Sequence, residues 1–250
     1  MKVAFPPFAV TVVGMARGQV HAGTSGYSYK EWKGAFYPAD LPESRFLGFY
    51  AGKFSTVEIN NTFYRFPSEK LIEGWRDGTP EGFTFAVKAN QRITHHGGLH
   101  GVEELARDFV GRARLLGPKL GPILFQFPPH LRCEEERLAA FLAALPPHGR
   151  YAFEFRHASW FDEKVFRRLA DAGAALCISE GEELDTPKTS TGPFAYVRLR
   201  KTDYADADLA AWRAWIAGRL EEGRDAFVYL KHDEKGVSPE RALRLLQGLA

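Results

Sequence analysis

Cysteine is nearly absent: Cys133 and Cys177 are the only two in 250 residues. They stand far apart and in no ligand-spaced pair, which excludes a disulfide framework and a thiolate zinc site and agrees with a reducing cytoplasm. No run approaches the roughly 18 apolar residues of a membrane span, so no membrane partner is expected. An excess of one charge is missing too. The 33 basic and 31 acidic residues leave a net charge of +2, far from that of a dedicated nucleic-acid arm. Nor does the chain contain a P-loop, a dinucleotide fingerprint, a Gly-x-Ser-x-Gly elbow or a His-x-x-x-His pair. Methionine occurs twice, at Met1 and Met15. The apolar stretch from Phe8 to Val13 is short, interrupted upstream by Pro6 and Pro7, and followed by no small-x-small cleavage site, so it does not read as an export signal. Met15 is expected to be the natural start. Residues 1–14 then carry no functional content, and residues 1–19 form an extension to a single domain over 20–250.

What is present is a chain with 45% hydrophobic residues, enough to bury roughly three quarters of its unfolded surface. Strand-like runs alternate with helical patterns. The runs are Val20–Ser25, Thr56–Asn60, Phe83–Ala89, Pro122–Phe127, a fifth opening at Tyr151, Ala174–Ser179, Phe194–Arg200 and Ala226–His232. Helical segments are expected over Glu43–Lys53, Glu69–Trp75, Val102–Leu116, Glu134–Leu145, Asp162–Ala172 and Asp206–Glu222, with a last helix capped by Ser238. After the sixth strand the helix is replaced by an acidic, Ser/Thr/Pro-rich loop from Gly181 to Gly192. Eight strands with intervening helices predict an α/β fold of the TIM-barrel type. A doubly wound sheet shares the alternation, but its central strands are apolar on both faces. Here several strands carry charge on one face near their C-terminal ends. The fifth is the clearest: in Phe153-Glu154-Phe155-Arg156 the two-residue period puts acid and guanidinium on one side and both phenylalanines on the other.

Several long motifs then occur in order: Gly23-Thr24-Ser25-Gly26-Tyr27-Ser28-Tyr29-Lys30-Glu31-Trp32, Val57-Glu58-Ile59-Asn60-Asn61-Thr62-Phe63-Tyr64-Arg65, Phe85-Ala86-Val87-Lys88, Gln126-Phe127-Pro128-Pro129 and Glu154-Phe155-Arg156-His157-Ala158-Ser159-Trp160. Together they resemble the YecE-like family, domain of unknown function 72, from about Val20 to the C-terminus. The resemblance implies a TIM barrel and supplies no activity, cofactor or substrate. The chain departs from the family pattern on strand seven, where Arg198-Leu199-Arg200-Lys201 replaces Arg-x-His-Gly, and on strand eight, where Lys231-His232-Asp233 replaces paired Asn.

In a barrel, strand ends gather at the C-terminal mouth. Candidate catalytic residues there are Glu58, Glu154 and Lys88; candidate binding residues are Ser25, Tyr27, Asn60, Asn90, Gln126, Arg156, Arg198, Arg200, Lys231 and Asp233. The plain alternative, an ion-pair network serving packing alone, explains so many charges poorly, because desolvation offsets much of the attraction between buried ions. The excess of cations suits a phosphate or carboxylate. Gly23–Gly26 either adds backbone N–H donors for that anion or is a plain tight turn. Glu58 with Glu154 is also the pair a glycosidase would need, and Lys88 among cations is open to Schiff-base chemistry. No cofactor is identified; a divalent metal is possible through Glu58, Glu154, Glu180 and Asp233 with His95, His157 or His232. His95, His96 and His100 read as a solvated loop. Most aromatics near the mouth, Tyr27, Tyr29, Trp32, Phe36, Tyr37, Phe63 and Trp160, read as packing under loops, while Tyr64 beside Arg65 is placed to stack on a base or sugar ring.

The expectation is therefore a cytoplasmic, monomeric enzyme, hydrolase or lyase, acting on a phosphorylated or anionic small molecule, with a nucleotide or nucleic-acid phosphodiester as one form. Arg156, Arg198, Arg200 and Lys88 would hold the anion and Glu58 or Glu154 would act as general acid or base. The alternative is a non-catalytic binding module for single-stranded nucleic acid or a phosphometabolite.

Overall fold

Alternating side chains in eight short segments decide the architecture. In the computed structural model, which describes residues 16–181 and 184–249, the strands are β1 (Val20–Thr24), β2 (Thr56–Ile59), β3 (Thr84–Lys88), β4 (Leu120–Gln126), β5 (Tyr151–Glu154), β6 (Ala175–Glu180), β7 (Phe194–Leu199) and β8 (Asp225–Leu230). All neighbours pair in parallel, in the order β1-β8-β7-β6-β5-β4-β3-β2. The circuit closes where Ser25 bridges Glu58 and the Gly26 N–H donates to the Glu58 carbonyl. A doubly wound sheet, whose strand order reverses at a switch point, is thereby excluded. Gly23 permits the closure, since a Cβ there would lie 2.4 Å from the Thr56 carbonyl oxygen.

The helices are α1 (Phe46–Ala51), α2 (Asn61–Tyr64), α3 (Glu69–Asp77), α4 (Glu103–Ala113), α5 (Glu135–Ala144), α6 (Glu163–Asp171), α7 (Asp206–Glu221) and α8 (Val237–Leu246). Among the described residues no helix lies between β6 and β7, as the composition of that stretch predicts. No helix among them is long and apolar enough to cross a membrane. The expected start at Met15 and residues 1–15 of the expected extension over 1–19 lie outside the described residues.

Two apolar layers follow from the strand period. Outward residues such as Val57, Phe85, Phe125, Phe153, Val197 and Val228 pack under the helices. Inward ones form a separate core in which Tyr196, Phe227, Tyr229 and Phe194 on β7 and β8 face Ala86, Leu124, Ala152, Ala175 and Cys177 on β3 to β6. Large residues on one side facing mostly small ones on the other suit the narrow interior of an eight-stranded barrel. Above this layer every inward position is polar.

Local boundaries depart from expectation in three instructive places. β5 stops at Glu154, so Arg156 stands beyond the strand. The stretch after β3 opens with a π-helical turn, Arg92–His96, in which Ile93 and Thr94 are buried and His95 half-buried, while His96 and His100 are exposed as a solvated loop would have them. The last helix begins at Val237, after Gly236 with φ 73°, so Ser238 lies inside it instead of capping it.

Candidate functional site at the barrel mouth

Arg198 is the centre of the polar layer. It projects from β7 into the interior, 2% exposed, and its guanidinium forks between two carboxylates. Nη2 donates to Glu58 Oε1 at 2.9 Å and Nη1 to Glu154 Oε2 at 2.6 Å. Both acids are fully buried. Glu58 Oε1 also accepts from Ser25 Oγ at 2.8 Å and Asn60 Nδ2 at 3.0 Å, while its Oε2 accepts from the Tyr196 hydroxyl at 2.7 Å. Glu154 Oε1 accepts from Arg156 Nε at 3.0 Å. Burial alone would raise both carboxyl pKa values, but the Arg198 charge with these donors outweighs it and holds both below the usual carboxylate range. Glu58 accepts four hydrogen bonds and Glu154 two, both from guanidinium groups, so both are held as anions, are poor general acids, and are linked by one guanidinium instead of flanking an open bond as a glycosidase pair does.

The cations are arranged differently. Lys88 ends β3, 9% exposed, with its Nζ 3.8 Å from the centre of the Phe63 ring and no side-chain hydrogen bond or ion pair among the described residues. Burial, and then the neighbouring Arg198, push its pKa down to about 7. Arg200 and Lys231, just past β7 and β8, likewise make no side-chain hydrogen bond or ion pair there; burial and Arg198 lower the Arg200 pKa. Arg156 uses only Nε on Glu154. The field of these groups reaches His95, whose pKa falls to about 4 through burial, then Lys88 and Arg156.

These residues line a cavity of about 530 Å³ that includes Ser25, Asn60, Lys88, Gln126, Arg156, Arg198, Arg200 and Lys231. Gln126 is 3% exposed and its amide has no partner among the described residues. Three sequence candidates have other duties. Tyr27 lies outside the cavity, packed by Tyr50 with its carbonyl accepting from Tyr37. Asn90 ties the loop after β3, donating to the Thr62 carbonyl and accepting from the Arg92 N–H. The Asp233 carboxylate takes the backbone N–H groups of Lys235, Val237 and Ser238 at the start of α8. The Gly23–Gly26 turn offers no nest either, because the N–H groups of Thr24, Ser25 and Gly26 are already bonded to Tyr50, Leu230 and Glu58.

The donor set does not fit a metal. Among the described residues no three His, Cys, Asp or Glu side chains stand together, Glu58 and Glu154 hold Arg198, and Glu180 holds Lys201 and the Trp212 indole. Trp32, Tyr37 and Trp160 are core, whereas Tyr29, Phe63 and Tyr64 line the mouth with His232. Tyr29 lies flat on His232, ring centroids 4.6 Å apart, and Tyr64 is 71% exposed. Tyr29 and Phe63 were legible only as aromatics near loops, since nothing in their spacing separates a lining ring from a packed one.

Fold and site together define an α/β barrel with a cationic, partly aromatic pocket at the C-terminal ends of its strands. Residues 21–250 match the family described as "Protein of unknown function DUF72", and the chain belongs to that family. The UPF0759 protein YunF of Bacillus subtilis is 30% identical, over 91% of this chain and 94% of its own. The UPF0759 protein YecE of Escherichia coli K12 is 33% identical over 45% of this chain, a match spanning 42% of the YecE length. A DUF72 protein of Thermotoga maritima superposes with a TM-score of 0.83 at 26% identity, covering 92% of this chain and 99% of its own. A DUF72 protein from Enterococcus faecalis, 19% identical with a TM-score of 0.75 over 93% and 98% of the two chains, shares the fold. The family has no established activity.

Proposed function

We propose that the protein is an enzyme whose barrel mouth binds a phosphorylated or carboxylated small molecule, with Arg156, Arg200 and Lys231 holding the anion and Lys88 transferring a proton. One observation carries this reading: the carboxylates are fully engaged with Arg198, while Lys88, Arg200 and Lys231 face the same cavity without an acidic partner. Unpaired cations in a concave, partly desolvated site attract an anion strongly. An amine with a pKa near neutrality suits general acid–base work. Glu58 and Glu154 are then positioning residues that fix Arg198. Hydrolase or lyase chemistry is compatible with this set, in a monomeric cytoplasmic protein with its two cysteines free.

A non-catalytic module for single-stranded nucleic acid is the second reading, favoured by the exposed Tyr64 at the rim. Calorimetric titration with inorganic phosphate and glycerol phosphate tests the first. Saturable binding is expected, weakened about tenfold or more in Arg200→Ala with the thermal melt unchanged. Absence of binding by either compound, or full affinity in Arg200→Ala, would sink it.

A further inference from the structure

The mouth has a second compartment. A smaller cavity, about 280 Å³, opens over the ends of β5 and β6, where Pro129, Glu154, Ser179 and Thr186 line it; the Glu154 charge there is taken up by Arg198 and Arg156. Arg156, Arg200 and Lys231 line this cavity and the larger one alike, as a common cationic wall. We propose that the ligand is a phosphate esterified on both sides, its phosphoryl group held by Arg156, Arg200 and Lys231 with one ester arm in each compartment. The inference rests on the anion reading above and adds the substrate class.

A phosphate monoester has one substituent and needs one compartment beside its anion site. Cations at the end of a single pocket would serve it. Cations shared between two pockets place the charge in the middle of the ligand, where a bridging phosphate carries it with an arm on either side. The compartments also differ in chemistry. The larger offers ring faces, with Tyr29 stacked on His232, the Phe63 ring and the exposed Tyr64. Such surfaces take a planar base. The smaller offers Ser179 and Thr186, which make no side-chain hydrogen bond among the described residues, with Glu154 beside them, while the buried Phe155 ring is stacked on Trp160. Hydroxyls beside a carboxylate acceptor suit the hydroxyl groups of a sugar. A nucleoside joined through phosphate to a second sugar-bearing group satisfies both.

The test compares thymidylyl-(3′→5′)-thymidine, thymidine 5′-monophosphate and inorganic phosphate by calorimetry on the full chain. The dinucleotide is expected to bind about tenfold tighter than the mononucleotide although it carries less charge, the difference coming from the second arm. Ser179→Leu, or Thr186→Leu should the first variant melt early, is expected to bring the dinucleotide down to the mononucleotide's affinity and leave the mononucleotide unchanged. A mononucleotide that binds as tightly as the dinucleotide, or a variant that weakens both alike, overturns the bridging inference while leaving the anion site standing. Failure of all three compounds to bind removes the anion site and the inference with it.

Discussion

Lys88 is the residue at which stability and function pull in opposite directions. In the unfolded chain its amine holds a proton up to the ordinary lysine pKa, about 10.4. In the barrel, burial against Phe63 and then the charge of Arg198 let the proton go at about 7. Between those two values the unfolded state carries one proton more than the native state, so stability rises with pH across that window and is flat below it. Lys88→Met is therefore expected to stabilise the protein near pH 7 by on the order of 1–3 kcal/mol, a gain that shrinks as pH approaches 10. Urea unfolding at intervals from pH 6 to 10 measures it; a variant with the same pH slope as the parent would show that the buried amine is not the source. Glu154 behaves in the opposite sense. Despite burial, Arg198 and Arg156 hold its pKa below the ordinary value, so its contribution is complete above the unfolded pKa and is lost as pH falls through the native one.

The elements that carry these residues were legible to different depths. Strand number, sequential order and barrel closure follow from a period of two with polar residues at one end, because only a barrel gives eight parallel strands an inner face that turns polar towards the mouth. Glu58, Lys88, Gln126, Glu154 and Arg198 follow from the same parity and share the inward layer. What parity does not give is the duty of a residue just past a strand. Asp233 looks like one more charge at the mouth, yet it organises α8, taking two backbone N–H groups that the helix start leaves open, those of Val237 and Ser238, and that of Lys235 just before it. Ser238, the sequence's choice of cap, instead donates its hydroxyl to the Lys231 carbonyl. Both facts depend on the left-handed Gly236, whose conformation no neighbouring residue announces. Asp233→Ala is accordingly expected to cost about 1–2 kcal/mol, the usual price of a lost cap, and to leave phosphate affinity within about twofold. Denaturant melts and titration on the same preparation check both halves; a tenfold loss of affinity with unchanged stability would return Asp233 to the binding set.

On the scale of the whole molecule the question is whether the mouth acts alone or belongs to a longer cationic track. The net charge is only +2, and many basic side chains away from the mouth are matched to acids: Arg17 with Glu221, Lys30 with Glu43, Arg76 with Asp77, Arg168 with Glu135 and Arg244 with Asp206. Exposed pairs of this kind add little stability, but they neutralise the surface over which a polynucleotide would have to lie. Other cations, Lys53, Arg65, Arg92 and Arg132 among them, have no ion pair among the described residues, but those shared by the two cavities, where a bound phosphate would sit, are Arg156, Arg200 and Lys231. Each phosphate neutralised on a single strand releases counterion worth about 0.7 in the slope of log K against log salt. An oligothymidylate is thus expected to show a slope no steeper than about −2 between roughly 50 and 200 mM salt, and lengthening it beyond the few nucleotides that fill the mouth should leave both slope and affinity unchanged. Fluorescence anisotropy over a length series reads this directly. A slope that steepens with length would mean that phosphates are met outside the mouth, which is the behaviour of a nucleic-acid module; a constant, shallow slope is that of a pocket built for one bridging phosphate.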